Sequence, residues 1–353
     1  MEDLSFNSRA PFTRWVTTKG LLREAFSVVD VGVQGGASVR WDLLDDHLVF
    51  HGFDAIAEVI DELKQQNAGR TNRHFHAFAI GAADGEREFY VNPANPTASS
   101  MFRQGGNRPD PATEQARMVP VRRLDSLLAA GVIPRCDFLK VDVEGFEKDV
   151  YRGARELLQA GVLAVETETN FSISPEYPKS HFATIAEIAL DHHLLFFDLG
   201  FNRIPRASFQ RALARRNVKL DTGSNMLGRP TTFNVLFCRD LVDEADHKDN
   251  YATPPPPVNV DQTIKTMIVC ELYGLSDVAL DVAERFAEKL GHRLDVDHAI
   301  ALLADPQCRA PDQIFELTRL QRRISDLERS TSWRVTAPLR AFKRLLRRSD
   351  NGA

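Results

Sequence analysis

Cysteine is scarce in this 353-residue chain: there are four, Cys136, Cys238, Cys270 and Cys308, and none stand in a Cys-x-x-Cys pair. That spacing builds neither a zinc knuckle nor a disulfide framework, and it implies a reducing cytoplasm. Long apolar runs are missing too. No window approaches eighteen consecutive apolar residues, and Glu2 and Asp3 precede no apolar h-region, so neither membrane spanning nor secretion is expected. An excess of one charge is also lacking, since 44 basic residues against 49 acidic ones leave −5. Such a balance exerts no global pull on nucleic acid. What is present is a 43% hydrophobic content, enough to fill one large domain with an appendage.

Residues 28–36, Val-Val-Asp-Val-Gly-Val-Gln-Gly-Gly, organise the reading. A β-branched run enters an Asp-x-Gly-x-x-x-Gly turn, and a helix-compatible segment comes next over residues 37–44. Glycine lets backbone approach a ligand where a Cβ would clash, and the next helix points its partly positive N-terminus at the same place. Some twenty residues on, residues 49–54 predict a second strand whose terminal Asp54 suits ribose hydroxyls, which implies an adenosine-type cofactor. A dinucleotide turn would need glycine where Gln34 stands, and Asp30 suits a cationic group better than a phosphate, so S-adenosylmethionine is the expected cofactor. Its candidate contacts are Asp30, Val31, Gly32, Val33, Gln34, Gly36 and Asp54.

Residues 11–25 predict a leading helix that covers the sheet or the cofactor site. Ile56, Val59, Ile60 and Leu63 predict a second helix, and Phe75 to Ile80 a third strand closed by Gly81, with the adenine ring expected beside Ala79 and Ile80. Asp84-Gly85 predicts a turn into an exposed strand. The irregular residues 92–112, rich in Pro, Asn, Gly and Ser, predict a substrate lid carrying Ser99, Ser100 and Arg103. A strand over residues 119–121 leads to a short helix.

Residues 136–147 hold the densest chemistry. Leu139, Val141 and Val143 alternate with Lys140, Asp142 and Glu144, so a buried strand would present three charges in one direction. Buried charges are paired or used, and the carboxyl end of a parallel strand is where they would be used. Val150 to Leu158 predict one amphipathic helix, with Gly161 as its C-cap. Residues 162–169 predict a fifth strand ending near Glu166 and Glu168. A helix about Ile185 to His192 and strands over 194–199 and 232–238 complete a mostly parallel sheet between helices.

These residues resemble the FkbM family of S-adenosylmethionine-dependent methyltransferases. The similarity lies in Val29-Asp30-Val31-Gly32 with Gly36, Phe53-Asp54, the turn from Gly81 to Gly85, Ser99-Ser100-Met101, the run from Val121 to Leu127 and, above all, residues 138–147, which resemble the hallmark Leu-Lys-Ile-Asp-Val-Glu-Gly-x-Glu. It spans residues 26–239 and departs from the family at Val33 and Gln34, where Ala-Asn is usual, and at Asp54, where Glu is usual. The resemblance implies an α/β class I methyltransferase fold, Rossmann-like with a mostly parallel seven-stranded sheet, and methyl transfer to an oxygen, often of a sugar or polyketide. Methyl transfer needs the acceptor hydroxyl about 3 Å from the methyl carbon and the removal of one proton. Asp142 or Glu144 is the expected catalytic carboxylate, with Lys140 tuning the pair. A divalent ion held by Asp142, Glu144 and Glu168 is left open.

Residues 241–260 read as an acidic and proline-rich linker and 261–311 as a small helical region, so the expected order is a helical lead over 1–25, the methyltransferase domain over 26–240, then these two and a basic amphipathic helical tail over 312–353. Ten basic residues against two acidic ones give residues 319–348 a charge of +8. With Trp333, Phe342 and Leu345 beside the charges, that tail suits an anionic bilayer or a glycosyltransferase partner. The string from Ser330 to Arg340 resembles C-terminal tails of bacterial surface-polysaccharide proteins. The expected activity is O-methylation of a sugar hydroxyl on a surface polysaccharide or its precursor, in the cytoplasm and peripheral to the inner membrane. A nicotinamide-dependent sugar oxidoreductase and a non-catalytic scaffold for glycan assembly are the alternatives. Nucleic acid is not an expected partner, because no basic face and no Asn-Pro-Pro-Tyr motif accompany the candidate catalytic residues.

Overall fold

The computed structural model describes residues 4–93, 95–103, 114–171, 180–204, 211, 215–216, 229–247 and 253–305. The chain divides into a unit of residues 1–305 and one of 306–353. The second unit, with Cys308 and the basic tail, lies outside the described residues, as do residues 94 and 104–112 of the expected lid.

The first unit is built on seven strands: β1 (Phe26–Val31), β2 (Leu48–Asp54), β3 (Arg73–Ala77), β7 (Phe138–Val141), β8 (Ala164–Asn170), β9 (Leu195–Ile204) and β10 (Arg229–Cys238). Their order is β3-β2-β1-β7-β8-β10-β9. The first five run parallel, and β10 is antiparallel to both β8 and β9. This Rossmann-like, mostly parallel sheet is the expected one. β1, whose six residues are all buried, sits near its centre, as a continuous β-branched run requires of a strand covered on both faces. A second sheet, which the sequence did not suggest, contains β4 (Ala79–Ile80), β5 (Gly85–Val91) and β6 (Gln115–Arg122) in the order β4-β6-β5.

Side-chain alternation divides the core. Phe26, Val28, Phe50, Phe138 and Leu236 face one side, where they meet Ile60 and Leu63 of α2 (Ala57–Gln66). Val29, Val31, Phe53, Leu139 and Val141 face the other side, beneath α3 (Leu124–Ala129), α4 (Glu147–Arg152), α5 (Arg155–Gln159) and α6 (Phe182–Asp191).

Four expectations are corrected. The segment after the glycine turn is a 3-10 stretch, Val39–His47, and not an α-helix, because a β-branched Val, a Trp and three Asp in nine residues are poor helix formers. The third strand divides at Phe78, with Arg73–Ala77 in the main sheet and Ala79–Ile80 in the small one. The amphipathic helix over Val150 to Leu158 is broken at Gly153, where a Cβ would overlap the Gly81 carbonyl oxygen, so α4 and α5 are separate.

The fourth correction concerns the linker and the helical region. Residues Leu241–Asp246 form α7, capped by the Asp240 carboxylate, and buried Glu244 pairs with buried Arg239 at 2.5 Å. Beyond the prolines, in the expected helical region, come α8 (Val260–Leu272), α9 (Ser276–Arg285), α10 (Ala287–Gly291) and α11 (Val296–Leu303). They share one apolar cluster with Phe26 and Phe138 of the sheet, with Trp41 of the 3-10 stretch and with α1 (Pro11–Thr18), so they are part of the sheet's cover and not a body apart.

Helix α8 is buried on all sides, and its charges are matched one by one. Lys265 Nζ donates to the Ala25 carbonyl at 2.7 Å and to Asp137 at 2.8 Å. Asp261 accepts from the amides of Arg23 and Glu24 and from Arg293. Glu271 accepts from the amides of Phe12 and Thr13 at 2.9 and 2.7 Å and from the Thr13 hydroxyl at 2.7 Å. Helix α1 has no cap of its own, since Ala10 supplies no side-chain acceptor, so a carboxylate some 258 residues away caps it. Glu271→Ala is therefore expected to lower unfolding free energy by about 3 kcal/mol, and Glu271→Gln by about half as much, in urea denaturation.

Candidate active site

The ends of β1, β2 and β7 are tied together by main-chain bonds. Gly32 and Val33 both donate to the Phe53 carbonyl, at 2.9 and 3.1 Å, and Asp142 donates to the Val31 carbonyl at 2.9 Å. Gly32 has φ +93°, and a Cβ there would overlap the Asp142 carbonyl oxygen. Only glycine lets the first turn close on the end of β7. Between these ends and the small sheet lies a cavity of about 230 Å³. Among its lining residues are Gly32, Gln34, Asp54, Ala79, Ile80, Lys140, Asp142, Glu144 and Glu168.

Across the sheet beneath the cavity runs a row of charge. Asp30 is in register with Lys140, and Lys140 with Glu166, so three neighbouring strands present them on one face. Lys140 Nζ lies 3.6 Å from Asp30 and 3.5 Å from Asp142. Burial alone would push the ammonium's pKa down; Asp30, Asp142 and Glu166 overcome it and hold Lys140 above its usual range. Burial also raises the Asp30 carboxyl to about 6, against the pull of Lys140, with Glu166 and Asp142 adding to the rise. Asp54 is raised to about 6 by burial, although one of its oxygens accepts the Ile56 amide at 2.8 Å.

The three alternating charges do not share one strand. β7 ends at Val141, and Glu144 sits in a loop with φ +52°, a left-handed conformation costly for a residue with a side chain. Two side chains hold this loop. Glu147 Oε1 accepts from the amides of Val143 and Gly145 at 3.2 and 3.0 Å, and the Ser100 hydroxyl donates to the Glu144 carbonyl at 2.8 Å. Glu147 is fully buried, and burial lifts its carboxyl to about 7 against its amide donors. The bent loop still turns Asp142 and Glu144 into the cavity lining beside Lys140.

Of the candidate cofactor residues, Val31, Gly32, Gln34, Asp54, Ala79 and Ile80 line the cavity together. Asp30, Val33 and Gly36 do not. Asp30 is buried behind the wall against Lys140, Val33 packs under Gly52, and a Cβ on Gly36 would press on Leu63. Of the expected lid, Ser99 lines the cavity and Ser100 braces it, whereas Arg103 stands over the Tyr90 ring at 5.2 Å. Glu147 and Glu166 were given no role from the sequence, although the first closes the hallmark motif and the second sits two residues before Glu168. Met101 and Phe146, also in the lining, belong to the lid stretch and the hallmark motif. Among the described residues no group of three or more His, Cys, Asp or Glu is arranged to hold a metal ion, the set Asp142, Glu144 and Glu168 included.

Residues 39–201, just under half of the chain, match the family described as methyltransferase FkbM domain. No curated protein matches the chain. Among solved structures it is similar to a methyltransferase FkbM from Methylobacillus flagellatus KT, with 13% identity and a TM-score of 0.34 over 64% of this chain and 47% of that one. The alignment thus spans about half of that relative. It is also similar to the N-methyltransferase NodS from Bradyrhizobium japonicum WM9, with 10% identity and a TM-score of 0.32 over 66% and 99% of the two chains. A SAM-dependent methyltransferase from Methanosarcina mazei gives 10% identity and a TM-score of 0.27 over 63% and 96%.

Asp30, Asp54 and Glu147 bind their protons more tightly in the folded chain than in the unfolded one. The stability they contribute is complete below the unfolded carboxyl value and is lost as pH rises through about 6, 6 and 7 respectively. In thermal unfolding of the unliganded chain, Asp54→Asn is expected to gain stability relative to the wild type between pH 4.5 and 7 and to run parallel to it above.

Proposed function

We propose, from the FkbM methyltransferase domain carried by residues 39–201, that the chain transfers a methyl group from S-adenosylmethionine to a sugar hydroxyl of a bacterial surface polysaccharide or its lipid-linked precursor. The observation that carries this reading is the one cavity in which the Gly32 turn, the Asp54 strand end and the Asp142 carboxylate meet.

The residues present fit the cofactor. Asp54 keeps one carboxylate oxygen for ribose hydroxyls, Ala79 and Ile80 offer an apolar wall for adenine, and Gly32 and Gln34 supply main chain at close approach. When bound, S-adenosylmethionine supplies an electrophilic methyl on a cationic sulfonium. Three carboxylates, Asp30, Asp142 and Glu166, against the one Lys140 ammonium leave the floor of the cavity negative, which favours that cation.

Lys140 keeps its proton, so it is not the base. It fixes Asp142 from 3.5 Å, and Asp142 is the carboxylate that takes the proton of the acceptor hydroxyl. Glu144, on its strained loop, orients neighbouring hydroxyls. The glycan acceptor rests on the likeness of residues 330–340 to the tails of surface-polysaccharide proteins and on the +8 charge of residues 319–348, which suits an anionic inner-membrane surface. No helix among the described residues is long and apolar enough to cross a membrane.

The test incubates the full chain with methyl-labelled S-adenosylmethionine and surface glycan isolated from a strain lacking the gene. Methyl ethers are read by mass spectrometry. The wild type is expected to label the glycan, and Asp142→Asn to lower single-turnover labelling by about 10²- to 10⁴-fold, the range a general base provides. Binding of NAD(H) in preference to S-adenosylmethionine in calorimetry overturns the reading. Glu144→Gly relieves a left-handed side-chain conformation, so it is expected to leave thermal stability equal or higher by up to about 1 kcal/mol while labelling falls.

A further inference from the structure

Tyr273 stands seventy-two residues beyond the end of the matched segment 39–201, at the C-cap of α8. It is fully buried, and its hydroxyl donates to Glu166 Oε2 at 2.5 Å. The ring is clamped by two neighbours: it stacks on Phe138 with centroids 5.6 Å apart, and the buried Arg40 guanidinium lies 3.9 Å from its centroid. A phenol so fixed has little freedom to turn its hydroxyl elsewhere.

Glu166 is the partner in register with Lys140. Strand spacing of roughly 4.8 Å and a shared face set its carboxylate beside the ammonium that braces Asp142. Glu166 acts on Lys140 by charge across the register pair and not by an ion pair, so the influence runs from the Tyr273 hydroxyl bond, through the Glu166 charge, to the Lys140 ammonium and Asp142. We propose that Tyr273 is a positioning residue: its hydroxyl holds the Glu166 carboxylate, and through it the Lys140 ammonium, in place beneath the cavity. The consequence for donor binding rests on the proposed function; the Tyr273–Glu166–Lys140 link does not.

The groups around this link are Arg40 against the Tyr273 ring, Lys140 from β7, Asp30 from β1, Asp142 after β7 and Cys238 from β10. Tyr273 is held above the usual phenol range by burial, with Glu166 adding to the rise and Arg40 opposing it, so it remains a donor across the working pH. Buried Cys238 is raised likewise and stays uncharged. Removing the hydroxyl leaves a buried carboxylate that has lost its donor and is free to turn away from Lys140.

Tyr273→Phe keeps the ring and deletes only the hydroxyl. In the full chain it is expected to lower the melting temperature, and in a Glu166→Gln background to lower it by clearly less, because the hydroxyl then no longer meets a charge. Calorimetry with S-adenosylhomocysteine should give a dissociation constant about five-fold weaker than wild type for Tyr273→Phe, with little further loss on adding it to Glu166→Gln. A mere packing defect gives equal melting deficits in both backgrounds, and that result overturns the proposal. If wild type binds no S-adenosylhomocysteine, the proposed function fails, while the melting comparison still decides the link. If Tyr273→Phe does not fold, Glu166→Gln alone decides it: weakened S-adenosylhomocysteine binding supports the link, and unchanged binding overturns it.

Discussion

An ammonium placed under a cavity among carboxylates is the constraint on which much of this structure depends. Lys140 is mostly buried, with 23% of its side chain exposed, so most of its charge must be matched by the strands on either side. Asp30 on β1 and Glu166 on β8 do this in register, and Asp142 does it from the first residue after β7. The sheet order that puts β7 between β1 and β8 is therefore also what makes the charge row tolerable. The match is uneven in sign, with more carboxylates than cations, and burial together with that surplus raises the Asp30 carboxyl to about 6, so it is the one that takes up a proton as pH falls toward that value.

Strain is the second cost of the site, and it is concentrated in one loop. The chain leaves β7 through Asp142 and Glu144 in a conformation that a side-chain-bearing residue adopts only when its surroundings dictate it. Those surroundings are specific: a buried carboxyl from α4 receives two loop amides, and a serine from the small sheet's flank donates to the Glu144 carbonyl. The small sheet thus does more than roof the cavity. Its Ser100 is paired with Tyr90 of β5 in the main chain, so the brace on Glu144 is itself fixed by strand pairing.

The main sheet was legible because its strands are continuous apolar runs closed by glycine or acid, as Val28 to Gly32 and Leu48 to Asp54 show. The residues that meet in the cavity were legible for the same reason, since strand ends of a parallel sheet converge. The misses were set by tertiary contact. Period two predicted Glu144 on a strand, but the strand stops at Val141 and Glu147 bends the loop beyond it. Asp30, Val33 and Gly36 carry the turn's pattern yet support the wall from behind, because a pattern names the turn and not which of its atoms face the cavity. The proline run from Pro254 to Pro257 reads locally as a boundary, and nothing local reveals that Lys265, Asp261 and Glu271 find their partners among residues 12–25 and 137.

That last pattern bears on how the chain must fold. Helix α8 carries an acid or a base on several turns, and Asp261, Lys265 and Glu271 are each buried against a segment from the opposite end of the sequence. Leaving any of them uncompensated costs several kcal/mol, so α8 is unlike a self-sufficient helical domain that docks after the fact. The face of β1 and β7 that carries Phe26 and Phe138 is covered by α1, the 3-10 segment and these helices. The apolar face of the sheet and the buried charges of α8 each supply what the other lacks, which makes residues 4–25 and 260–303 one cover of the sheet, drawn from both ends of the described chain.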